Sequence, residues 1–450
     1  MNALERRAVA TLSGLYCLRM LGLFMVLPLL SLYAADLSGA TPLLLGLALG
    51  VYGLAQALLQ IPLGMLSDRV GRLPIIIGGL LLFALGSLLA ANAESIYGII
   101  FGRLMQGAGA IASTIMALVA DLTRDEQRTK AMALMGMSIG LSFAVALVVG
   151  PVLANLGGLT LVFNITAALA LAGVALALLA IPRAERLPTH GEVGTVPSLL
   201  RRSLLDPGLA RLNAGVFILH CVLMAGFVVL PMILEQNLGL DRVQHWQVYL
   251  PALVLSLLGM VPLMILAERY GRLRVGFMLA ISFLILAQLP ISGSFGFWPF
   301  CFGLWLYFVG FNYLEASLPS LVSKAVYAGG KGTALGVYSS FQFLGAFVGG
   351  AGGGLILQYW GASAVFLFCA ALLLCWLVLV AGMRVPRDLL SLTVRLPAAE
   401  AAAQATLDVL RAAPGVIDLL YMADEGTVYL KVDEALFDTD ILPSAGAPAE

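Results

Sequence analysis

Residues 43–66 read LLLGLALGVYGLAQALLQIPLGML, twenty-four positions without a charge, and the next seven, Ser67-Asp68-Arg69-Val70-Gly71-Arg72-Leu73, carry three. A helix that crosses a bilayer needs about 20 mostly apolar residues. This stretch supplies them and then ends in charges suited to the membrane edge. Similar runs recur at 11–33, 73–92, 95–120, 131–154, 159–181, 212–236, 245–267, 273–293, 296–324, 333–357 and 361–384. Barrel strands would alternate apolar and polar positions, and these runs do not. Lipid leaves helices or closed barrels as the only ways to satisfy the backbone. The expected fold class is therefore all-α, with twelve transmembrane helices.

Composition agrees. Of 450 residues 61% are hydrophobic and 11% charged, against about a quarter charged in soluble chains. Net charge is zero, which leaves no basic footprint for nucleic acid. Cys17, Cys221, Cys301, Cys369 and Cys375 all lie in apolar runs without a Cys-x-x-Cys spacing, so they read as packing residues, not a disulfide framework or a metal site. No Gly-x-x-x-x-Gly-Lys-Ser/Thr loop occurs, so ATP is not expected to drive the protein. No cofactor and no catalytic constellation is expected, and the chain does not read as an enzyme. The first run follows Arg6 and Arg7 and continues past Pro28 without a cleavage site. It is read as a spanning helix and not a signal peptide.

Basic residues set orientation. Arg6, Arg7, Arg69, Arg72, Arg124, Arg128, Lys130, Arg183, Arg186, Arg201, Arg202, Arg269, Arg272, Arg274, Lys324, Lys331, Arg384 and Arg387 fall on one set of connections, and Arg242 alone on the other. Both termini and the central connection are expected on the cytoplasmic side of a bacterial inner membrane. The domains read as a six-helix bundle over 1–181, a cytoplasmic loop over 182–211, a second bundle over 212–387 and a small domain over 388–450.

The halves repeat one another. Phe24-Met25-Val26-Leu27-Pro28 matches Phe227-Val228-Val229-Leu230-Pro231, and Asp68-Arg69-Val70-Gly71-Arg72-Leu73 matches Glu268-Arg269-Tyr270-Gly271-Arg272-Leu273. Such duplications mark transporters whose substrate site lies between the repeats. In the first loop Gly64 permits close helix approach, Gly71 a tight turn, and Asp68 and Arg72 can form a charged latch.

Gly64-Met65-Leu66-Ser67-Asp68-Arg69-Val70-Gly71-Arg72 resembles the loop signature of the major facilitator superfamily, Gly-x-Leu-x-Asp-Arg-x-Gly-Arg, with the apolar pair shifted. The resemblance covers residues 11–384. It implies two pseudo-symmetric six-helix bundles, with Asp68, Arg72 and Asp121 locking the outward-open state and the first, fourth, seventh and tenth helices lining a cavity. Arg103-Leu104-Met105-Gln106-Gly107-Ala108-Gly109 resembles the family's fourth-helix motif, which is associated with proton coupling. Gly150-Pro151 resembles the core of its antiporter motif, although Ala146, Ala154 and Asn155 replace glycines there. Pro151 is expected to kink its helix.

Ionisable groups at membrane depth are functional candidates. Arg103 cannot shed its proton and calls for an acid partner, a polar cavity or a tether to carbonyls. Arg19 and His220 occupy comparable depths in the two halves. Glu315, near Asn312, is the one acid well inside a run. His220 and Glu315 are the expected proton carriers. Tyr16, Phe24, Phe227, Trp305 and Phe311 are plausible cavity aromatics, which suits lipophilic substrates. The glycines of residues 345–354 read as close helix packing.

After Arg387 the composition changes. Leu390–Leu396 alternates like a strand, Ala398–Ala413 reads as a helix, and Val416–Met422 and Thr427–Val432 read as a hairpin around Ala423-Asp424-Glu425-Gly426. This is most of a ferredoxin-like unit, similar to the small cytosolic domain of a bacterial member of the family. The tail has no cysteine, so a metal-binding role is rejected and regulatory contact with the helical part stays open.

The expected function is proton-coupled efflux of small lipophilic or amphipathic compounds by alternating access. Its partners are a small-molecule substrate, protons and the lipid bilayer. A metabolite uniporter or importer, or a membrane sensor working through the tail, remain as alternatives.

Overall fold

A computed structural model describes residues 1–181, 197–382, 389–396, 400–422, 426–433 and 436–438. The first half comprises α1 (Ala3–Tyr33), α2 (Pro42–Val70), α3 (Arg72–Ala91), α4 (Ile96–Ala108), α5 (Ala112–Asp121) and α6 (Asp125–Ala180). A short α7 (Pro197–Leu205) leads to the second half, α8 (Pro207–Gln236), α9 (Trp246–Glu268), α10 (Leu273–Ala287), α11 (Phe297–Ala325), α12 (Lys331–Trp360) and α13 (Ala362–Ala381). Among the described residues eleven helices are long and apolar enough to cross a membrane.

Eleven, not twelve, follows from α6. It runs through both the fifth and sixth expected spans, broken only at Gly157 (φ −159, ψ 26) and Gly158 (φ 64, ψ −164). Gly158 takes a positive φ that only glycine adopts readily, so the chain reverses there with almost no loop. The break lies past Pro151, which stays within helical geometry. The fourth span is divided instead, into α4 and α5, at Gly109–Ile111. Part of the expected central loop is helical too. Arg201 and Arg202 lie in α7, while Arg183 and Arg186 fall outside the described residues, as do Arg384, Arg387, the hairpin turn residues 423–425 and the terminal segment 443–450.

Glycines set the spacing between the halves. A Cβ on Gly46 would come 2.2 Å from the Gly350 carbonyl, and one on Gly50 2.7 Å from that of Phe347. The N-terminal part of α2 thus lies backbone to backbone on the C-terminal part of α12. At the same end the Leu43 amide donates to Gln358 Oε1 at 3.2 Å, and Arg242 covers the Tyr33 ring at 5.0 Å. The molecule is closed at this far end, away from the tail.

The tail forms a three-stranded antiparallel sheet of order β1-β3-β2, with β1 at Leu390–Arg395, β2 at Val416–Met422 and β3 at Thr427–Val432, and α14 (Glu400–Ala412) following β1. Its own apolar cluster contains Val394, Leu407, Leu410, Val428, Leu430 and Val432. The sheet packs on the connection between α11 and α12. Asp418 Oδ2 accepts from the Ala328 amide at 3.0 Å and meets Arg202 at 3.4 Å, Lys431 Nζ donates to the Lys324 carbonyl at 2.6 Å, and Arg202 stacks on Tyr327 at 4.2 Å. Because the tail has a separate core, deleting residues 388–450 is expected to leave an inserted helical bundle, with melting lowered by a few degrees at most. Fluorescence size exclusion and a thermal melt of the truncated chain check this. Loss of the bundle would show the sheet to be part of its core.

Candidate functional site

Two polar groupings occupy the interior, a buried one in the first half and a partly exposed one in the second. In the first, Arg103 donates from Nη1 to Gln106 Oε1 at 2.8 Å, from Nε to the Ala48 carbonyl at 3.3 Å and from Nη2 to the Leu49 carbonyl at 3.5 Å. Gln106 in turn donates to Ser87 at 2.7 Å. Of the arrangements the sequence left open for Arg103, the structure shows the tether: it pins α4 to the backbone of α2, over the Tyr52 ring. Arg19 donates from Nη2 to the Tyr52 hydroxyl at 3.0 Å and to the Gly109 carbonyl at 3.1 Å. That carbonyl is free because α4 ends there. Both arginines are 1% exposed. Neither forms an ion pair with a carboxylate among the described residues, and neither can supply a proton.

The second half holds the titratable grouping. His220 on α8, Glu315 on α11 and Gln342 on α12 converge. His220 Nδ1 lies 3.2 Å from the Val216 carbonyl. A carbonyl only accepts, so Nδ1 carries the hydrogen and Nε2 of the neutral ring is an acceptor. Gln342 Nε2 meets that nitrogen at 2.8 Å and donates to Glu315 Oε1 at 3.2 Å. Imidazole and carboxylate face each other at 3.7 Å, with side chains 13% and 35% exposed. A carboxylate, an imidazole and a carboxamide within reach of one another can hold or pass a proton, and Glu315 remains accessible to a ligand.

The latch residues also come together, all within the first half. Arg72 pairs with Asp68 and donates from Nε to Asp121 Oδ2 at 3.1 Å and from Nη1 to Ser67 Oγ at 2.7 Å. Ser67 donates to the Gly64 carbonyl at 2.6 Å. Gly71 joins α2 to α3 at φ 110, a conformation closed to most other residues, and a Cβ on Gly64 would come 3.2 Å from the Ser113 hydroxyl.

The expected cavity aromatics divide. Phe311 tilts over His220 at 6.0 Å and stacks on Tyr307 at 6.1 Å. Asn312 donates to Ser256 at 2.8 Å, and Trp305 packs on Gly259 of α9. Phe24, Phe143 and Phe227 form an edge-to-face row from α1 across α6 to α8, with centroid spacings of 5.2 and 6.4 Å. Tyr16 and Phe227 are buried, and Phe227 lines a small enclosed cavity with Tyr249, Gln288 and Tyr307. A cavity of about 340 Å³ lies elsewhere, between the tail-side parts of α1 and α6, lined by Met1, Arg6, Val9, Ser13, Met137 and Leu141. Gly150 packs on α1, where an added Cβ would come 3.0 Å from the Met25 carbonyl.

Gln342 and Ser67 escaped sequence reasoning because neither ionises. The available signal for Gln342 was a carboxamide in the middle of a glycine-rich, largely apolar helix.

The family model described as Major Facilitator Superfamily matches residues 12–349 and 212–423. The inner membrane transport protein YajR of Escherichia coli K12 is 43% identical over 430 residues, covering 95% of this chain and 94% of the relative. Multidrug resistance protein MdtH of Aeromonas salmonicida is 27% identical, covering 76% and 86%. The inward-facing, occupied structure of a bacterial homologue of the human lysosomal transporter Spinster superposes with a TM-score of 0.70 at 15% identity, covering 85% of this chain and 97% of that one. Twelve apolar spans in two repeated halves, with polar groups gathered between helices, meet a family model that matches most of the chain. The protein is a multi-pass membrane transporter and not an enzyme, and it belongs to the major facilitator superfamily.

Proposed function

We propose that the protein is a proton-coupled antiporter of the bacterial inner membrane, with both termini cytoplasmic, that exports small lipophilic or amphipathic compounds by alternating access. The observation that carries this reading is the contact of His220, Gln342 and Glu315 in the second half. It is a titratable pair within the apolar helices that is partly accessible and, among the described residues, is joined by no arginine or lysine. The multidrug name of the MdtH relative supports the substrate class, and the excess of basic residues on the tail side supports the orientation. With the tail in the cytoplasm, the closed far end is the periplasmic end of this conformation. The units 1–181, 182–211, 212–387 and 388–450 act as two rocking bundles, a connector and a cytosolic module.

Counterflow of a fluorescent lipophilic dye in reconstituted vesicles tests for transport, and a proton ionophore tests for coupling. Counterflow that survives the ionophore, with no concentrative uptake before it, would identify a uniporter.

By the family resemblance the latch holds the outward-open state, although its contacts are also formed in this conformation. Asp68→Asn removes the formal charge that Arg72 holds in place and is expected to shift the resting population several-fold toward the far-end-closed state. Labelling rates of single cysteines at the two ends report it. Unchanged rates would exclude a latching role for Asp68.

A further inference from the structure

Gln342 stands between the two titratable groups, on the helix that joins the halves. Residues that follow it alternate between different partners. Phe343 and Phe347 pack on Gly53 and Gly50 of α2 in the first half, whereas Gly345 and Gly349 lie against the Phe217 and Cys221 carbonyls of α8. Gln342 is thus the point where α12 is tied to the His220 and Glu315 pair.

The hydrogen bonds depend on protonation. With its amide nitrogen toward both partners, Gln342 can donate to His220 Nε2 only if the ring is neutral, and it donates to Glu315 Oε1 best if that group is a carboxylate. One proton on His220 turns Nε2 into a donor, which removes the acceptor from Gln342. The imidazolium then faces Glu315 directly, across the present 3.7 Å. A second proton, on Glu315, suits the reversed amide, whose oxygen can accept from both groups. Each protonation state therefore calls for a different placement of one side chain.

Few other groups can intervene. Tyr338 on α12 is near Glu315. Cys221 follows His220 on α8, and Tyr307 on α11 is near Cys221 and Cys369 on α13. On α9, Ser256 is occupied by Asn312. From the first half, Tyr52 meets Phe343 at 6.3 Å, and Arg19 and Arg103 lie behind it.

We propose that Gln342 is the positioning residue of proton coupling: it binds the deprotonated His220 and Glu315 pair, and its release on protonation frees α12 to move against α2. The inference rests on the coupled-transport assignment above, and its test separates the two.

The test needs no substrate. Spin labels at Leu44 on α2 and Leu357 on α12, in a background without the five native cysteines, report the far-end separation between pH 5 and pH 9. The unaltered protein is expected to show a pH-dependent change of separation. Gln342→Met keeps the side chain's length but cannot donate. It is expected to raise the midpoint by about one pH unit, because a bond favouring the deprotonated pair is lost. Gln342→Asn, which keeps the amide, is expected to show a smaller shift. A purely structural role would lower the melting temperature without moving the midpoint. An unmoved midpoint in a folded Gln342→Met protein would overturn the inference and leave coupling in place. No pH dependence in the unaltered protein, or its full retention in the His220→Ala, Glu315→Gln double variant, would overturn the coupling assignment itself.

Discussion

Glu315→Gln is expected to lower proton-driven transport on the order of a hundredfold, the usual scale for removing a positioned proton-transfer group, while leaving substrate binding within about threefold of the unaltered protein. Glutamine keeps the shape and can still bond to Gln342, but it cannot exchange a proton. His220→Ala is expected to act in the same direction and also to free the Gln342 amide. Uptake driven by an imposed pH gradient, compared with dye binding in detergent, separates the two effects. If both variants keep proton-driven transport, neither His220 nor Glu315 is the carrier. Arg19 and Arg103 could not replace them directly, since a guanidinium stays protonated.

The second large effect is steric. In Gly46→Val the new side chain would have to fit where a Cβ already lies 2.2 Å from the Gly350 carbonyl. Both residues belong to backbones that meet across the two halves, so the clash is relieved by separating the halves, not by unfolding either one. The far-end-closed state should become inaccessible, transport should stop, and melting should change little. Gly349→Val provides the contrast. Its Cβ would sit 2.1 Å from the Cys221 carbonyl, inside the second half, where no functional movement relieves it. That variant is expected to lose about 3 kcal/mol or more of stability. Cysteine labelling at the far end and thermal melts distinguish the two outcomes. Equal destabilisation by both would argue against rocking at the α2 and α12 contact.

Much of this architecture was legible because the bilayer imposes a length on apolar runs. The run at 43–66 is observed as Pro42–Val70, and that at 361–384 as Ala362–Ala381. The tail was legible because alternation and a Pro414-Gly415 break mark short elements, and β2 and β3 occupy the stretches expected of them. The interruption at Gly109–Ile111 was not, because residues 95–120 are apolar on both sides of it and the missing helical bond is recovered through Arg19. The helix Pro197–Leu205 was hidden in a stretch rich in proline and charge, where Leu199 and Ser203 supply its contacts to Tyr327.

The site was legible in part. Charges inside apolar runs point to His220, Glu315, Arg19 and Arg103, because ionised groups are costly there. Charge alone cannot say which of them meet. The structure brings His220 to Glu315 and leaves the two arginines among carbonyl and hydroxyl oxygens. Gln342 carries no charge, so a reading of charges passes over it and the geometry reveals its role.

The central claim is that the pair in the second half exchanges protons for substrate. Its most direct test is proton flux in vesicles containing the protein and an internal pH dye, with no gradient imposed, on addition of a panel of lipophilic compounds. Movement of protons opposite to an added compound, absent in Glu315→Gln vesicles, is the predicted result. Compound movement with no proton flux, or with equal flux in Glu315→Gln vesicles, would contradict it.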